Sequence, residues 1–320
     1  MPRTTVLSGE GGGHDLPARL PGRVTQHPAF YLHSSTSACD SGDDCLALLE
    51  DAMRAPLRAG QALAARCRRQ LSDRELAVVA SLSRYRYMSA RQIEELHFFD
   101  HATPLTGART CRRVLERLTR VSVLWRLDRR VGGVRAGSAS FVYALGPLGH
   151  RILRGESGAR IRRSEPSAEF LDHTLAVAQL AVDLQRLARD GSIDLVDIEP
   201  EPACWRRFTA GLEGVQTLKP DLSVSLRASD YEYHWFVEVD LSTHSATAVV
   251  RKCQMYHRYW TTGIEQDRSG LFPRVLIVTP NVRRASVLER ALGNARHLSA
   301  KLFAVTTTAD AMGCLTGAAS

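Results

Sequence analysis

The sequence predicts a protein of mixed class, α+β or α/β, in which two folded units follow one another. Its 320 residues exceed the length of a usual single domain. Between residues 72 and 146 the pattern is helix, helix, basic helix and β-hairpin, whereas from residue 167 strands alternate with longer helices. We therefore expect a disordered tail over residues 1–48, a helical unit with a hairpin over 49–165, and a mixed-sheet unit over 167–320.

The composition excludes several classes of protein. Hydrophobic residues make up 44% of the chain and charged residues 24%, which is typical of a globular rather than a fibrous protein. No segment approaches the roughly 18 consecutive apolar residues of a membrane span, and no secretory signal is visible. The seven cysteines form no C-x-x-C pair, which argues against a zinc finger or a disulfide scaffold. We expect a cytoplasmic protein without membrane contact.

Positive charge is concentrated in one part of the chain. Residues 61–165 contain 21 Arg against 9 Asp and Glu, a net charge of +12, while the whole chain carries +8. This distribution is typical of a protein in which one unit binds a polyanion such as DNA, because neutralised phosphates release counterions. The alternative is an arginine-rich face that is merely solvated.

The first 70 residues contain two segments. Residues 1–48 mix Gly, Pro, Ser and acidic residues without a period, which predicts the tail. Residues 49–70 predict a helix that Pro56 and Gly60 interrupt. This helix leads into the basic unit.

Three helices follow. Ser72 and Glu75 have the spacing of a capping box at the start of the first helix. A basic aromatic turn over residues 84–88 leads to Ser89, which is expected to cap the second helix. Pro104 and Gly107 predict a turn, and residues 108–120 a third helix with apolar positions on one face and arginines on the others.

Two alternating segments around a Gly-rich loop then predict a β-hairpin. Helix, helix, basic helix and hairpin in this order resemble a winged helix-turn-helix domain. The resemblance implies that the third helix enters the major groove of double-stranded DNA while the wing touches the backbone. It also implies DNA contacts, in the third helix and in or near the wing, for Arg109, Arg112, Arg113, Arg117, Arg129, Arg130 and Arg135. The alternative is a winged helix that binds protein.

The C-terminal unit is expected to begin after a linker within residues 147–166. A broad apolar stripe over residues 167–190 predicts a long helix buried against a sheet, ended by Gly191. Strands and helices then alternate as far as the strand at residues 301–308.

Carboxylates on two of these strands form the candidate site. Pro220 and Asp221 are placed on one strand, and sixteen residues separate Asp221 from Glu238 on the next. Glu238 and Asp240 share a face because strand side chains alternate. Such carboxylates can bind Mg²⁺, which polarises a phosphodiester and its attacking water. The alternative is ordinary strand-end carboxylates paired with Arg251 or Lys219.

This arrangement resembles the PD-(D/E)XK, or restriction-endonuclease-like, superfamily over about residues 167–308, with its motif on Pro220, Asp221 and Glu238. The resemblance implies Asp221 and Glu238 as catalytic and metal-binding residues, and Asp240, on the same strand face as Glu238, is a further candidate for both roles. Asp240 stands where the superfamily has a lysine. Lys252, on the helix after the strand, is the candidate substitute, and it would stabilise the charge of a phosphorane.

The whole pattern is more specific than either half. A winged helix followed by HTLAVAQL, KPDLSV, FVEVDLST and RKCQMYHRYW resembles the replication-relaxation family of actinobacterial plasmids and mobile elements. The resemblance implies a DNA-binding protein of plasmid replication, relaxation or mobilisation, either a Mg²⁺-dependent nicking relaxase or endonuclease, or a non-enzymatic origin-binding or transcriptional regulatory protein with a degenerate nuclease fold. A ligand-sensing regulator is disfavoured because no phosphate-binding Gly loop follows a strand.

Three further residues carry weaker signals. His173 on the long helix is interpreted as a core histidine or as part of the site. Tyr256 and Tyr259 are either nucleophiles for a covalent DNA intermediate or packing residues, and helical spacing beside apolar positions favours packing.

Overall fold

A computed structural model describes residues 57–131, 140–154, 165–209 and 214–318 of the chain. The predicted tail over residues 1–48, Pro56 and Arg135 lie outside these ranges. The side chains of Arg129 and Arg130 also lie outside the described part.

In the described residues, the N-terminal half contains five helices and three short strands. Their bounds are α1 (Leu57–Gln70), α2 (Asp73–Tyr85), β1 (Met88–Ser89), α3 (Ala90–His97), α4 (Pro104–Arg120), β2 (Leu124–Val131), β3 (Ser140–Leu145) and α5 (Pro147–Arg154). The strands form an antiparallel sheet in the order β1-β3-β2, with β2 and β3 as the predicted hairpin. The order of helices and hairpin expected from the sequence is confirmed.

Capping residues explain where α2 and α3 begin. The Ser72 hydroxyl accepts a hydrogen bond from the backbone N–H of Glu75, whose carboxylate accepts one from the N–H of Ser72. Ser89 and Gln92 form the same reciprocal pair at α3. Each pair satisfies two backbone donors that a helix start leaves without partners, so both predicted starts are confirmed.

The turn predicted at Pro104 and Gly107 is wrong, because both residues lie in α4. Thr103 caps this helix, and Pro104 is its first residue, where a missing N–H costs nothing. Gly107 is buried, and a Cβ there would lie 2.7 Å from the carbonyl oxygen of Phe98. This glycine permits close packing rather than a turn.

The linker predicted from residue 147 is also wrong in its first part, because residues 147–154 form α5. Leu148 and Ile152 of this helix are buried in the N-terminal core. A Cβ at Gly149 would lie 2.3 Å from the carbonyl oxygen of Val123. Gly149, which the sequence suggests as part of a flexible segment, instead allows α5 to pack closely against the backbone of Val123.

The C-terminal half contains a five-stranded mixed sheet with helices on both faces. Its elements are α6 (Ala168–Arg189), β4 (Asp194–Pro200), β5 (Arg206–Thr209), β6 (Val215–Leu218), β7 (Leu222–Ala228), β8 (Tyr231–Val239), α7 (Ala246–Thr261), α8 (Ile264–Ser269), β9 (Arg274–Thr279), α9 (Val282–Asn294), β10 (Phe303–Thr307) and α10 (Ala311–Thr316). The sheet order is β10-β9-β8-β7-β4, with β8, β9 and β10 parallel and the other pairs antiparallel. The predicted mixed sheet is confirmed.

Three details of this half differ from the sequence prediction. Strands β5 and β6 pair with each other outside the main sheet, and the short helices α8 and α10 were not expected. Pro220 and Asp221 lie just before β7 rather than on a strand. Asp221 therefore stands at a strand end, where side chains can face a cleft.

Helix α6 connects the two halves. It packs against both α3 and the central sheet, and one apolar core includes residues of all three. Gln92 of α3 donates a hydrogen bond of 2.8 Å to the carbonyl oxygen of Leu175 in α6. The opposite sheet face has its own core around Phe236, Tyr256 and Tyr259. None of the helices in the described ranges is long and apolar enough to span a membrane.

Replacement of His97 by Gln is expected to flatten the acid dependence of stability. Burial, with a smaller contribution from Arg74, lowers the pKa of His97 from 6.5 to about 4. Between these pH values the unfolded chain binds the proton more tightly, so the free energy of unfolding falls as the pH drops below 6.5. Between pH 7 and pH 5 this residue should lower the free energy of unfolding by roughly 2 kcal/mol.

Urea unfolding at both pH values measures this difference in wild type and variant. Gln is chosen because it can retain a hydrogen bond to Ser81, whose hydroxyl lies 3.0 Å from Nε2 of His97. Equal pH dependence in the two proteins would contradict the assignment.

Candidate active site

The candidate site lies at one end of two adjacent strands in the main sheet. Asp221 precedes β7, and Glu238 lies near the end of β8. Because these strands are antiparallel neighbours, both residues lie at the same end of the strand pair. Helices α6 and α7 flank this end. They supply His173 and Lys252 to a cleft of about 570 Å³.

Asp221 is buried and held from three sides. Its Oδ2 accepts a 2.8 Å hydrogen bond from the backbone N–H of Val239, and its Oδ1 lies 3.3 Å from Nε2 of His173 and 3.8 Å from Nζ of Lys252. Although burial opposes ionisation, His173 and Lys252 hold the pKa of Asp221 below its ordinary value. The hydrogen bond to Asp221 in turn raises the pKa of His173.

Glu238 is buried beside Asp221 and has two partners from α7. Lys252 donates a hydrogen bond to its Oε2 and Tyr256 donates one to its Oε1. Burial raises the pKa of Glu238 to about 8, against the opposing charge of Lys252. The protonation state of this carboxyl therefore depends on the charge of its neighbours.

Lys252 links the two carboxylates. Burial disfavours its charge, but Glu238 and Asp221 together raise its pKa above the ordinary value. We take the lysine to be protonated, because its ammonium is in contact with one carboxylate and near a second. Its side chain is 42% exposed, so the charge also faces the open cleft.

Asp240 lines the same cleft, but its carboxylate is bound elsewhere. Arg284 of α9 donates to its Oδ2 from Nε at 2.9 Å, with the second guanidinium nitrogen at 2.7 Å. The backbone N–H of Ser242 donates to its Oδ1 at 2.6 Å. The structure thus brings together Asp221, Glu238 and Lys252, but not Asp240.

The donor set suits one divalent cation bound in part by protein. Two buried carboxylates converge, and Mg²⁺ is commonly held by one or two carboxylates with waters and substrate phosphates as its other ligands. In the described ranges, no cluster of three or more His, Cys, Asp and Glu side chains has the arrangement of a metal site. Asp221 and Glu238 are the carboxylates that could hold such a cation, whereas Asp240 is already paired with Arg284.

Two site residues have stronger contacts than the sequence indicated. His173 contacts Asp221, and Tyr256 donates to Glu238 while remaining completely buried. The helical spacing that favours packing for Tyr256 does not show that its hydroxyl reaches a carboxylate. Tyr259 packs in the core against Phe208 and donates to Glu265 at 2.6 Å.

The arginines of α4 are the second set of predicted functional residues. Arg109, Arg112 and Arg113 are exposed, whereas Cys111, Leu115 and Leu118 of the same helix are buried. Arg117 instead forms an ion pair with Glu75 of α2, whose carboxylate is only 6% exposed. The structure gives Arg117 a contact between two helices, and DNA contact by the other three stays a prediction.

Comparison with curated proteins and with solved structures gives no match. The sequence model of the replication-relaxation family matches residues 79–275, which is more than half of the 320 residues. The matched range includes the basic helix α4, the long helix α6 and all of Asp221, Glu238 and Lys252. The chain therefore belongs to the replication-relaxation family, a membership that indicates a role in the replication or relaxation of a plasmid or mobile element.

Proposed function

We propose that this protein binds double-stranded DNA at a plasmid or mobile-element origin and nicks it in a Mg²⁺-dependent reaction. The observation that carries the proposal is the convergence of Asp221, Glu238 and Lys252 at one cleft. Two carboxylates that can hold a metal ion and a lysine that can stabilise developing negative charge are groups that suit phosphodiester hydrolysis. The proposal treats the C-terminal half as a PD-(D/E)XK-like unit whose lysine has moved to α7.

Each residue has a role that follows from its contacts. When bound, Mg²⁺ supplies Lewis-acid polarisation of the phosphodiester and a lower pKa for the attacking water. Asp221 and Glu238 would hold the cation, while His173 and the N–H of Val239 orient Asp221. Lys252 places a positive charge where negative charge accumulates on the phosphorane oxygens. Tyr256 fixes the carboxyl of Glu238 from the buried side.

The N-terminal half supports DNA binding by its shape and charge. Helices α2, α3 and α4 followed by the β2–β3 hairpin have the order of a winged helix-turn-helix unit, in which α4 would enter the major groove. Arg109, Arg112 and Arg113 project from the exposed face of α4. We assign DNA contacts to these three arginines, because Arg117 already neutralises Glu75.

Replacement of Arg112 and Arg113 by Ala is expected to weaken binding to origin DNA and to reduce its salt dependence. Each phosphate contact contributes about 0.9 to the slope of log K against log salt concentration, so loss of two should reduce the slope by up to about 1.8. Fluorescence anisotropy with a labelled duplex over a range of salt concentrations measures the slope.

The matched control for this experiment replaces Arg283 and Arg290 by Ala. Both are exposed arginines on α9, in the other half of the molecule. The control should lower the net charge equally and leave the slope close to that of wild type. Equal slopes in both double variants would show that α4 is not the DNA-binding element.

A nicking assay on supercoiled plasmid carrying the cognate origin tests the catalytic proposal. Wild type should convert the plasmid to the open circle with Mg²⁺ and not with EDTA, and Asp221→Asn should lose this activity while it still binds duplex DNA. Asp172→Asn, an exposed carboxylate on α6, should nick normally. Absence of nicking by wild type would overturn the enzymatic proposal.

A non-enzymatic origin-binding protein is the second candidate, and one observation favours it. The four carboxylate oxygens of Asp221 and Glu238 all have partners within the chain, namely His173, Lys252, Tyr256 and the N–H of Val239. Such a closed network can also be a structural ion-pair cluster in a nuclease fold kept for binding. Origin binding without nicking is the outcome this candidate predicts.

A further inference from the structure

A short arginine-tyrosine segment, residues 84–87, borders the candidate site from the N-terminal half. The segment consists of the last two residues of α2 and the two residues that connect it to β1, and its backbone turns at Arg86 with a φ of 65°. Arg84, Tyr85 and Arg86 line a second, smaller cavity together with His173 and Asp221. Because those last two residues also line the main cleft, the segment lies directly beside the proposed catalytic carboxylate.

The arginines of this segment are available to a phosphate. Both Arg84 and Arg86 are exposed. Arg86 forms an ion pair with Glu201 at 3.4 Å, in which the side chains are 41% and 30% exposed. An exposed pair of this kind contributes little to stability, whereas an arginine binds a phosphate through two parallel charge-assisted hydrogen bonds. A phosphodiester can therefore replace Glu201 as the partner of Arg86 at small cost.

Two aromatic rings, those of Tyr87 and Phe170, lie beside the main cleft. Tyr87 contacts Phe170 edge to face, with ring centroids 6.3 Å apart and planes at 89°. Phe170 lines the main cleft together with His173, one turn further along α6, and remains 36% exposed. A phenylalanine at the mouth of a charged cleft presents a flat apolar face that water solvates poorly.

We propose that residues 84–87 and Phe170 form a subsite for single-stranded DNA next to the site of cleavage. Arg84 and Arg86 bind the backbone phosphates, and Phe170, with Tyr87 behind it, stacks on an unpaired base. Positively charged grooves with stacking rings are the means by which proteins bind single strands. The proposal selects a single strand over a duplex because the base faces of a duplex are already stacked and cannot cover Phe170.

The identification of the bound single strand as the substrate of cleavage rests on the proposed function, whereas single-strand binding itself does not.

Both halves of the chain contribute to this subsite. The N-terminal half would supply the phosphate contacts, and the C-terminal half would supply the stacking ring and the carboxylates. Nicking would then require opened base pairs beside the cut phosphodiester.

Fluorescence anisotropy with a labelled 20-nucleotide oligothymidine in EDTA tests the subsite without any cleavage. Phe170→Ala should weaken binding of this single strand by about 5- to 150-fold, the range expected from loss of one stacked base. Its affinity for duplex DNA should stay within about twofold of wild type. Phe99→Ala is the matched control, because Phe99 is 54% exposed but lies elsewhere, against Arg189.

The arginine arm of the test uses Arg84→Ala with Arg86→Ala. This pair should weaken oligothymidine binding and reduce its salt slope by about 0.7 for each lost contact, whereas Arg283→Ala with Arg290→Ala should not. Circular dichroism shows whether each variant is folded. Single-strand binding by Phe170→Ala equal to that of the Phe99→Ala control would overturn the proposal, as would an equal loss for duplex and single strand.

The two proposals fail in different ways. If wild type does not nick but its single-strand binding depends on Phe170, the catalytic proposal falls and the subsite stands. If wild type nicks and Phe170→Ala binds the single strand normally, the subsite is wrong and the catalytic proposal stands.

Discussion

Replacement of Lys252 by Met is expected to lower Mg²⁺-dependent nicking by about 100- to 1000-fold, the usual cost of removing one group that stabilises charge in a transition state. The ammonium contacts Glu238 and lies 3.8 Å from Asp221, so it places a positive charge beside both proposed metal-binding carboxylates. Met retains most of the length and apolar volume of the side chain. The loss should therefore appear in kcat on the supercoiled plasmid rather than in affinity for duplex DNA.

Two variants control this result. Lys301→Gln changes an exposed lysine near β10, and it should nick at the wild-type rate. Lys252→Arg keeps the charge but changes its shape, so it should fall between wild type and Lys252→Met. Normal nicking by Lys252→Met would show that the lysine on α7 does not replace the one missing at position 240.

Replacement of Glu265 by Ala should destabilise the fold by about 3–5 kcal/mol, because it leaves a buried guanidinium without its closest carboxylate. Nε of Arg206 lies 3.2 Å from Glu265, and the two side chains are 10% and 3% exposed. Glu265 also accepts the 2.6 Å hydrogen bond from the hydroxyl of Tyr259. Urea unfolding followed by circular dichroism measures the change in the free energy of unfolding.

A surface pair is the control for this measurement. Glu116 and Arg120 are 71% and 54% exposed and lie 3.4 Å apart, so Glu116→Ala should cost less than about 1 kcal/mol. The double variant of Arg206→Ala with Glu265→Ala should lose less stability than the two single variants added together. Simple additivity would show that the two side chains are not coupled.

The order and type of most elements could be predicted because the signals are local. Ser72 with Glu75 lie within one helical turn, and so do Ser89 with Gln92, which makes their capping interactions visible in the sequence. The apolar stripe of α6 is also a short-range pattern. Glycine and proline were harder to interpret, since Gly107 and Gly149 meet backbone atoms of residues distant in sequence.

The site could be predicted in part. Residue type, spacing and the resemblance to the PD-(D/E)XK superfamily together predict Asp221, Glu238 and Lys252 as site residues, and the fold brings them together. For His173 and Tyr256 the sequence favours a core role over a site role, because it does not show which atoms a buried polar group meets. The contact of Tyr256 with Glu238 depends on how α7 lies across the sheet.

By itself, the sequence determined the mixed class of the protein and the order of most of its elements, and it predicted Asp221, Glu238 and Lys252 as site residues together with Asp240. Capping, periodicity and turn preferences act over a few residues, so one chain is enough to reveal them. Only the tertiary structure decided which charges are paired. Arg117 with Glu75, and Arg284 with Asp240, are 42 and 44 residues apart in sequence. The partner of a carboxylate is the cationic side chain that tertiary packing places next to it, and that packing depends on the whole fold.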